Sequence, residues 1–176
     1  IIHGPPGPAR RVLEKQPMDW GFILSVLLNL VGAAIGLAIA RYAWRRRSIP
    51  GAEFFAVYMV AAVIWSLSCL VYYAGSGRIA TMLAELLQNV GLMAMPAMWL
   101  AFALKYTGRS RWLNRRTIIA LAAVPVIVLA LWLAHGLTAG QPISEGWPSR
   151  VHYWIMNLYV TALILAGGFL ILQEMV

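Results

Sequence analysis

Charged residues are scarce in this sequence. Only 11% of its 176 residues are charged, against 61% that are hydrophobic, and the mean hydropathy is +0.74. A soluble domain carries about a quarter charged residues, so this composition excludes an ordinary soluble domain. The sequence instead predicts an all-α, polytopic membrane protein built as a bundle of transmembrane helices.

Cysteine and the usual signatures of catalysis are equally rare. Cys69 is the single cysteine, so the chain cannot form an intrachain disulfide, and it lies inside an apolar run. The sequence contains no nucleophile–base arrangement, phosphate-binding loop or dinucleotide fingerprint, and no closely spaced group of His, Cys and Asp that would hold a metal. We therefore predict no catalytic residue, no metal and no cofactor in this stretch.

The basic residues lie mostly at the ends of the apolar runs. The formal net charge is +8, and the loops 41–52 and 105–116 hold nine of the fourteen lysines and arginines, whereas the two opposite loops share two. The positive-inside rule then predicts both basic loops on the cytoplasmic side, against anionic lipid headgroups, rather than a nucleic-acid-binding face. The arginines concerned are Arg45, Arg46, Arg47, Arg109, Arg111, Arg115 and Arg116.

Five apolar runs predict five spans, at about 20–43, 54–74, 79–104, 117–134 and 151–172. With the basic loops inside, the N-terminus is outside and the C-terminus inside. Residues 1–17 are rich in Pro and Gly and are expected to form a flexible tail, followed by a transmembrane domain over 18–176. The first apolar run is too long for a cleavable signal peptide, so none is expected.

Small residues mark one face of the first span. Asn29, Gly32 and Gly36 share this face, and the two glycines form a small-xxx-small pair. Such a face lets another helix come close, and Asn29 could form a hydrogen bond across it. We favour packing within this chain over a homodimer contact, because such motifs are common inside membrane bundles.

Polar side chains lie at similar depth in the outer half of three spans. Because polar groups turned to lipid are costly, we expect them to converge on one outer-side cavity with aromatic walls. The alternative pairs Glu85 with Arg78 at the interface and leaves no shared cavity. The predicted ligand-binding residues are Glu85, Asn89, His135, Tyr153, Trp154 and Asn157.

Two histidines, His135 and His152, lie at the outer ends of consecutive spans. A neutral imidazole can ligate haem or the magnesium of a chlorophyll-type pigment. Haem-binding pairs in membranes usually lie on facing helices within the hydrocarbon, whereas these histidines lie at the interface. Pigment or haem ligation is therefore the less favoured interpretation, and the nearby aromatic residues are typical of an interfacial belt.

A series of motifs follows the spans in a fixed order. It begins with the turn from Tyr42 to Arg47, then Pro50-Gly51-Ala52, and Trp65-Ser66-Leu67 in the second span. It continues with Pro96, Trp99–Leu104, Tyr106-Thr107, Arg111-Trp112-Leu113, His135, Tyr153-Trp154 and Tyr159. In order and spacing, these motifs resemble the N-terminal seven-transmembrane sensor region of bacterial histidine kinases, over about residues 20–172.

That resemblance implies a sensory input domain of a two-component system, multi-pass in the bacterial inner membrane. The family has seven spans followed by cytoplasmic signalling domains, whereas five spans are predicted here, so phosphotransfer is not assigned to these residues. A longer parent chain would then be the histidine kinase. The second hypothesis is a non-catalytic accessory or structural subunit of a larger redox or photosynthetic membrane complex, bound to other membrane helices. The coding sequence after Val176 would discriminate between the two.

Overall fold

The computed structural model describes residues 20–74, 77–139 and 147–175, apart from the side chains of Arg78, Trp132, residues 135–139 and 147–150, and His152. Within these ranges the chain forms five α-helices and one short 3-10 turn, and no strand. The helices are α1 (Trp20–Arg45), α2 (Ala52–Tyr73), α3 (Arg78–Tyr106), α4 (Arg115–Ala139) and α5 (Trp147–Met175), with the 3-10 turn at Ser110–Trp112. The predicted all-α helical bundle is confirmed, and the predicted tail 1–17 lies outside the described residues.

Four of the helices are long and apolar enough to cross a bilayer. They are α1, α2, residues Ile79–Tyr106 of α3 and residues Tyr153–Met175 of α5. Helix α4 has 25 residues, and at about 1.5 Å per residue it exceeds the ~30 Å hydrocarbon core. That α4 crosses the membrane stays a prediction, as does the orientation of the bundle.

The helices extend beyond several of the predicted spans. Helix α4 begins at Arg115 and ends at Ala139, and α5 begins at Trp147, because backbone hydrogen bonding continues past the apolar run that marks the hydrocarbon. Asn114 defines the start of α4, since its Oδ1 accepts a hydrogen bond from the Thr117 N–H at 2.9 Å. The turn between α1 and α2 requires glycine at position 51, where φ is 88°.

Helices that are neighbours in the sequence are not always the ones that pack most closely. Helices α1, α2 and α3 pack as consecutive antiparallel neighbours, α3 also packs against α5, and α4 makes fewer contacts, with α3 and α5. Small residues permit the closest approaches: a β-carbon at Gly91 of α3 would lie 2.9 Å from the Ala61 carbonyl oxygen of α2. The apolar centre between α3, α4 and α5 is formed by Met93, Val128 and Met156.

One end of the bundle carries the arginine-rich loops, and we call it the basic end. It comprises the C-terminal ends of α1, α3 and α5 and the N-terminal ends of α2 and α4. Contacts between these ends hold it together. The Arg109 guanidinium donates a hydrogen bond to Gln173 Oε1 at 2.8 Å, and Gly51 lies against the ring and carbonyl of Phe102.

Candidate functional site

Only part of the predicted packing face of α1 contacts another helix of the chain. A β-carbon at Gly36 would lie 2.9 Å from Val63 Cγ2 of α2, whereas a β-carbon at Gly32 would meet nothing within 4 Å. Asn29 Nδ2 donates to the Ser25 carbonyl of its own helix at 2.9 Å. The structure therefore places Gly36 in the α1–α2 contact, with the buried Ala33, Ala40 and Ala43, and leaves Gly32 open.

The predicted ligand-binding residues of α3 and α5 lie at the same level of the bundle. These two helices run in the same direction and meet where Trp99 contacts Gly167. Glu85 and Asn89 precede Trp99 by the same numbers of residues as Tyr153 and Asn157 precede Gly167. Parallel helices with equal rise per residue therefore hold these two pairs at equal depth, toward the end opposite the basic end.

The side chains of these residues do not form a common hydrogen-bonded group. Asn89 Nδ2 donates to the Glu85 carbonyl, and Asn157 Nδ2 donates to the Tyr153 carbonyl, each at 2.8 Å. Asn157 is exposed, and Tyr153 and Trp154 are 59% and 70% exposed. Each amide is satisfied within its own helix, so convergence on one cavity stays a prediction. The side chains of His135, His152 and Arg78 lie outside the described part.

An apolar cavity of about 360 Å³ lies elsewhere, between α3 and α4. None of the six predicted ligand-binding residues lines it. Small or ring-shaped side chains leave the space open on both helices, among them Ala94, Ala97, Ala101, Ala122 and Pro125, and Phe54 of α2 borders one end. Ala94, Ala97 and Ala101 recur at helical spacing on α3. This spacing of small residues could have located the cavity from the sequence, as the spacing of glycines on α1 located a helix contact.

The contact between α3 and α5 centres on Trp99. Its indole N–H donates to the Ile164 carbonyl at 3.3 Å, and a β-carbon at Gly167 would lie 2.5 Å from Trp99 Nε1. On its other side the indole joins an aromatic cluster with ring centroids 5.4–6.4 Å apart, which contains Phe55, Tyr58, Phe102 and Tyr106. Trp99 thus connects α2, α3 and α5 in one packed unit.

The basic end contains polar contacts that the sequence analysis did not identify. Lys105 Nζ forms an ion pair with Glu53 and lies 5.4 Å from the centroid of the Phe54 ring. The arginines of the first basic loop are exposed. Two of them stack on aromatic rings, with the Arg46 guanidinium 4.7 Å from the Tyr42 centroid and the Arg47 guanidinium 5.8 Å from the Trp44 centroid. Arg111, Arg115 and Arg116 are exposed, and Arg109 is half-buried.

A polar contact inside the bundle was also missed. Gln88 Nε2 lies 2.8 Å from Sγ of the buried Cys69, joining α3 to α2. The residue types alone gave no signal for this pair, because a cysteine in an apolar run is ordinarily a small hydrophobic residue. Among the described residues, no three His, Cys, Asp or Glu side chains are grouped closely enough to hold a metal.

A comparison with family models matches the chain to the N-terminal 7TM region of histidine kinase over residues 28–176. Comparisons with curated proteins and with solved structures give no significant match. The matched range begins within α1 and includes α2 to α5 in full, and with them the cavity, the Trp99 contact and the polar contacts of the basic end. The chain therefore belongs to the family of N-terminal seven-transmembrane regions of histidine kinases, and it is a multi-pass membrane sensory domain.

Proposed function

We propose that this domain receives an extracellular or lipid-borne signal and passes it to a cytoplasmic histidine kinase of the same protein. The observation that carries the proposal is the family match over residues 28–176, combined with helices long and apolar enough to span a membrane. The charge distribution supports an orientation with the basic end in the cytoplasm of a bacterial inner membrane. In that orientation the C-terminal end of α5 points toward the kinase.

The uneven packing of the bundle suggests how a signal would move. Helices α1, α2 and α3 form an extensive antiparallel unit, whereas α4 contacts its neighbours sparsely. A ligand that binds two arrangements of α4 and α5 with different affinities would shift the population between them. Helix α5 contacts α3 at Trp99, and its Gln173 contacts Arg109, which follows the end of α3. That shift would therefore reach the basic end through α5.

The entry point of the signal is proposed at the level of Glu85 and Asn89 on α3. Tyr153, Trp154 and Asn157 lie at the same level on α5, and His135 lies near the end of α4. The exposed aromatic rings of Tyr153 and Trp154 stand 5.9 Å apart in an edge-to-face arrangement, which offers an apolar surface with polar edges. A ligand that joins α4 and α5 at this level would act on the sparsely packed part of the bundle.

The Trp99–Gly167 contact provides a test in the parent protein with its kinase region. Gly167→Leu would push the indole of Trp99 away, because even a β-carbon there is only 2.5 Å from Nε1. We expect the basal autophosphorylation rate in isolated membranes to change by about fivefold or more, in the range of typical coupling energies. Gly168→Leu is the matched control, since nothing lies within 4 Å of a β-carbon at that neighbouring position.

The control should leave the basal rate within about twofold, an energy of less than ~0.5 kcal/mol. Equal rates for both variants and the parent would show that the α3–α5 contact does not carry the signal. The absence of a kinase region from the coding sequence after Val176 would overturn the proposal itself. That result would favour the accessory-subunit hypothesis.

A further inference from the structure

The cavity between α3 and α4 calls for an apolar occupant. Its volume of about 360 Å³ falls within the range of ligand pockets, roughly 300–1,000 Å³, and its lining is formed by alanine, methionine and other apolar residues. Ile118 and Val126, which line it on α4, are 52% and 63% exposed. The cavity is therefore open at the surface of the described helices, where a molecule dissolved in the bilayer would reach it if α4 spans the membrane.

The lining of the cavity matches a hydrocarbon chain, because every residue that lines it is apolar. Another helix would also present an apolar surface, so the choice between the two occupants rests on the charges beside the cavity.

Both walls of the cavity end in a basic residue at the basic end of the bundle. On α3 the lining residues Ala94, Ala97 and Ala101 continue, at helical spacing, to Lys105. On α4 the lining residues begin at Ile118, one turn after Arg115 on the same face. The apolar cavity thus leads to two cations, one on each helix.

The charges at this mouth do not cancel. Lys105 is paired with Glu53 and lies over the ring of Phe54, which itself borders the cavity. Arg115 is exposed, and it is not part of the ion pair found within the described ranges. Two cations and one carboxylate leave a net positive charge beside an apolar slot, and basic pockets between transmembrane helices bind anionic lipid headgroups.

We propose that the cavity between α3 and α4 holds one acyl chain of an anionic phospholipid whose headgroup binds at Lys105 and Arg115. This site is distinct from the proposed signal-entry level, which lies toward the opposite end of the bundle. It goes beyond the sensory function, because a lipid bound there would fill the gap beside the sparsely packed α4. The lipid would come from the leaflet on the side of the basic end.

The test measures lipid binding to the full-length protein in detergent by native mass spectrometry. The probes are dioleoylphosphatidylglycerol and dioleoylphosphatidylcholine, which share acyl chains and differ in headgroup charge. The parent protein should retain one phosphatidylglycerol molecule with at least about fivefold higher apparent affinity than phosphatidylcholine, as one basic contact of ~1 kcal/mol provides. Equal retention of the two lipids would overturn the headgroup assignment.

Two neighbouring arginines separate a specific headgroup contact from general surface charge. Arg115→Gln should lower the apparent affinity for phosphatidylglycerol about fivefold. Arg116→Gln removes the same charge one residue away, off the face that lines the cavity, and should lower it by less than about twofold. Equal losses for the two variants would show diffuse charge attraction and would contradict a site at Arg115.

A second pair of variants tests the acyl chain. Ala122→Phe fills the cavity from α4 and should abolish the retained phosphatidylglycerol, whereas Ala120→Phe, on an exposed face of α4 that does not line the cavity, should leave it bound. Retention of the lipid by the Ala122 variant would overturn the proposal. So would a dimer of the parent protein that Ala122→Phe alone dissociates, because a second copy would then occupy this surface.

Discussion

Two glycines four residues apart on α1 have different surroundings, and this gives a matched pair of variants. Gly36→Leu should lower the free energy of unfolding by about 1–3 kcal/mol through overpacking, because its β-carbon would lie 2.9 Å from Val63 Cγ2. Gly32→Leu adds the same side chain where nothing lies within 4 Å and should change it by less than about 0.5 kcal/mol. Thermal unfolding in detergent micelles measures both.

Equal melting temperatures for the two leucine variants would contradict the packing at Gly36. A loss in the Gly32 variant alone would instead indicate a partner on the open side of α1, such as a second copy of the chain. The control for both is the parent protein in the same detergent, since micelle composition changes the stability of membrane helices.

Single residues also show where the sequence was informative and where it was not. The spacing of Asn29, Gly32 and Gly36 predicted a close helix contact, but a helical face is broad and spacing alone does not locate its centre. The hydrogen bond of Asn29 goes to Ser25 rather than to another helix, because the carbonyl four residues earlier is always within reach of a short polar side chain. The same local contact holds Asn89 and Asn157.

At the scale of elements, one ion pair joins the start of α2 to the end of α3. Glu53 and Lys105 are 30% and 38% exposed in their side chains, so the pair is partly shielded from solvent. A double-mutant cycle with Glu53→Gln and Lys105→Met should give a coupling free energy of about 1 kcal/mol, at the upper end for pairs with access to water. Chemical or thermal unfolding of the four proteins provides the measurement.

The control is a second double-mutant cycle, in which Lys105 is combined with Glu174, an exposed carboxylate near the end of α5, in place of Glu53. Glu174→Gln and Lys105→Met should be additive within about 0.3 kcal/mol. A coupling as large in the control cycle as in the first would show that Lys105 responds to the general field of the basic end. The contact with Glu53 would then carry no specific energy.

The elements themselves were largely predictable from apolar runs, whereas their ends were not. Hydropathy records which residues tolerate hydrocarbon, and a helix continues beyond that depth as long as its backbone stays hydrogen-bonded. Helix α4 begins at Arg115 because Asn114 caps it, and an Asn three residues before Thr117 is a local signal that could have located this boundary. The far end of α4, at Ala139, is followed in the sequence by Gly140 and Pro142, and these residue types commonly mark the end of a helix.

At the scale of the whole molecule, the distribution of loop charges predicts the orientation. Ser48 lies exposed in the turn between α1 and α2, and Ser144 lies outside the described residues, in the stretch of sequence between α4 and α5. In a Cys69→Ala background, Ser144→Cys should react with a membrane-impermeant maleimide in intact cells, and Ser48→Cys should react only after lysis. The opposite labelling pattern would show that the orientation is reversed and that the C-terminal end of α5 lies outside the cytoplasm.

Which helices pack against each other could not be predicted from the sequence. In a soluble bundle the apolar stripe of each helix shows which side faces its neighbours, but lipid is as apolar as leucine and this contrast disappears. The pairing of α3 with α5 depends on the fit between Trp99 and Gly167, two residues that hydropathy treats independently. The shared cavity predicted for the polar residues of three spans stays a prediction, and the cavity found between α3 and α4 is lined by apolar residues.

The pairing of α3 with α5 also has a consequence for biosynthesis. The indole of Trp99 and its acceptor, the Ile164 carbonyl, are 65 residues apart, and ribosomes add about 5–20 residues per second. For roughly 3–13 s at that rate, during which α4 is also synthesised, α3 lies in the membrane without α5 beside it. During this interval lipids or the insertion machinery must solvate the face that α5 later covers, so the α3–α5 contact forms after the contacts among α1, α2 and α3.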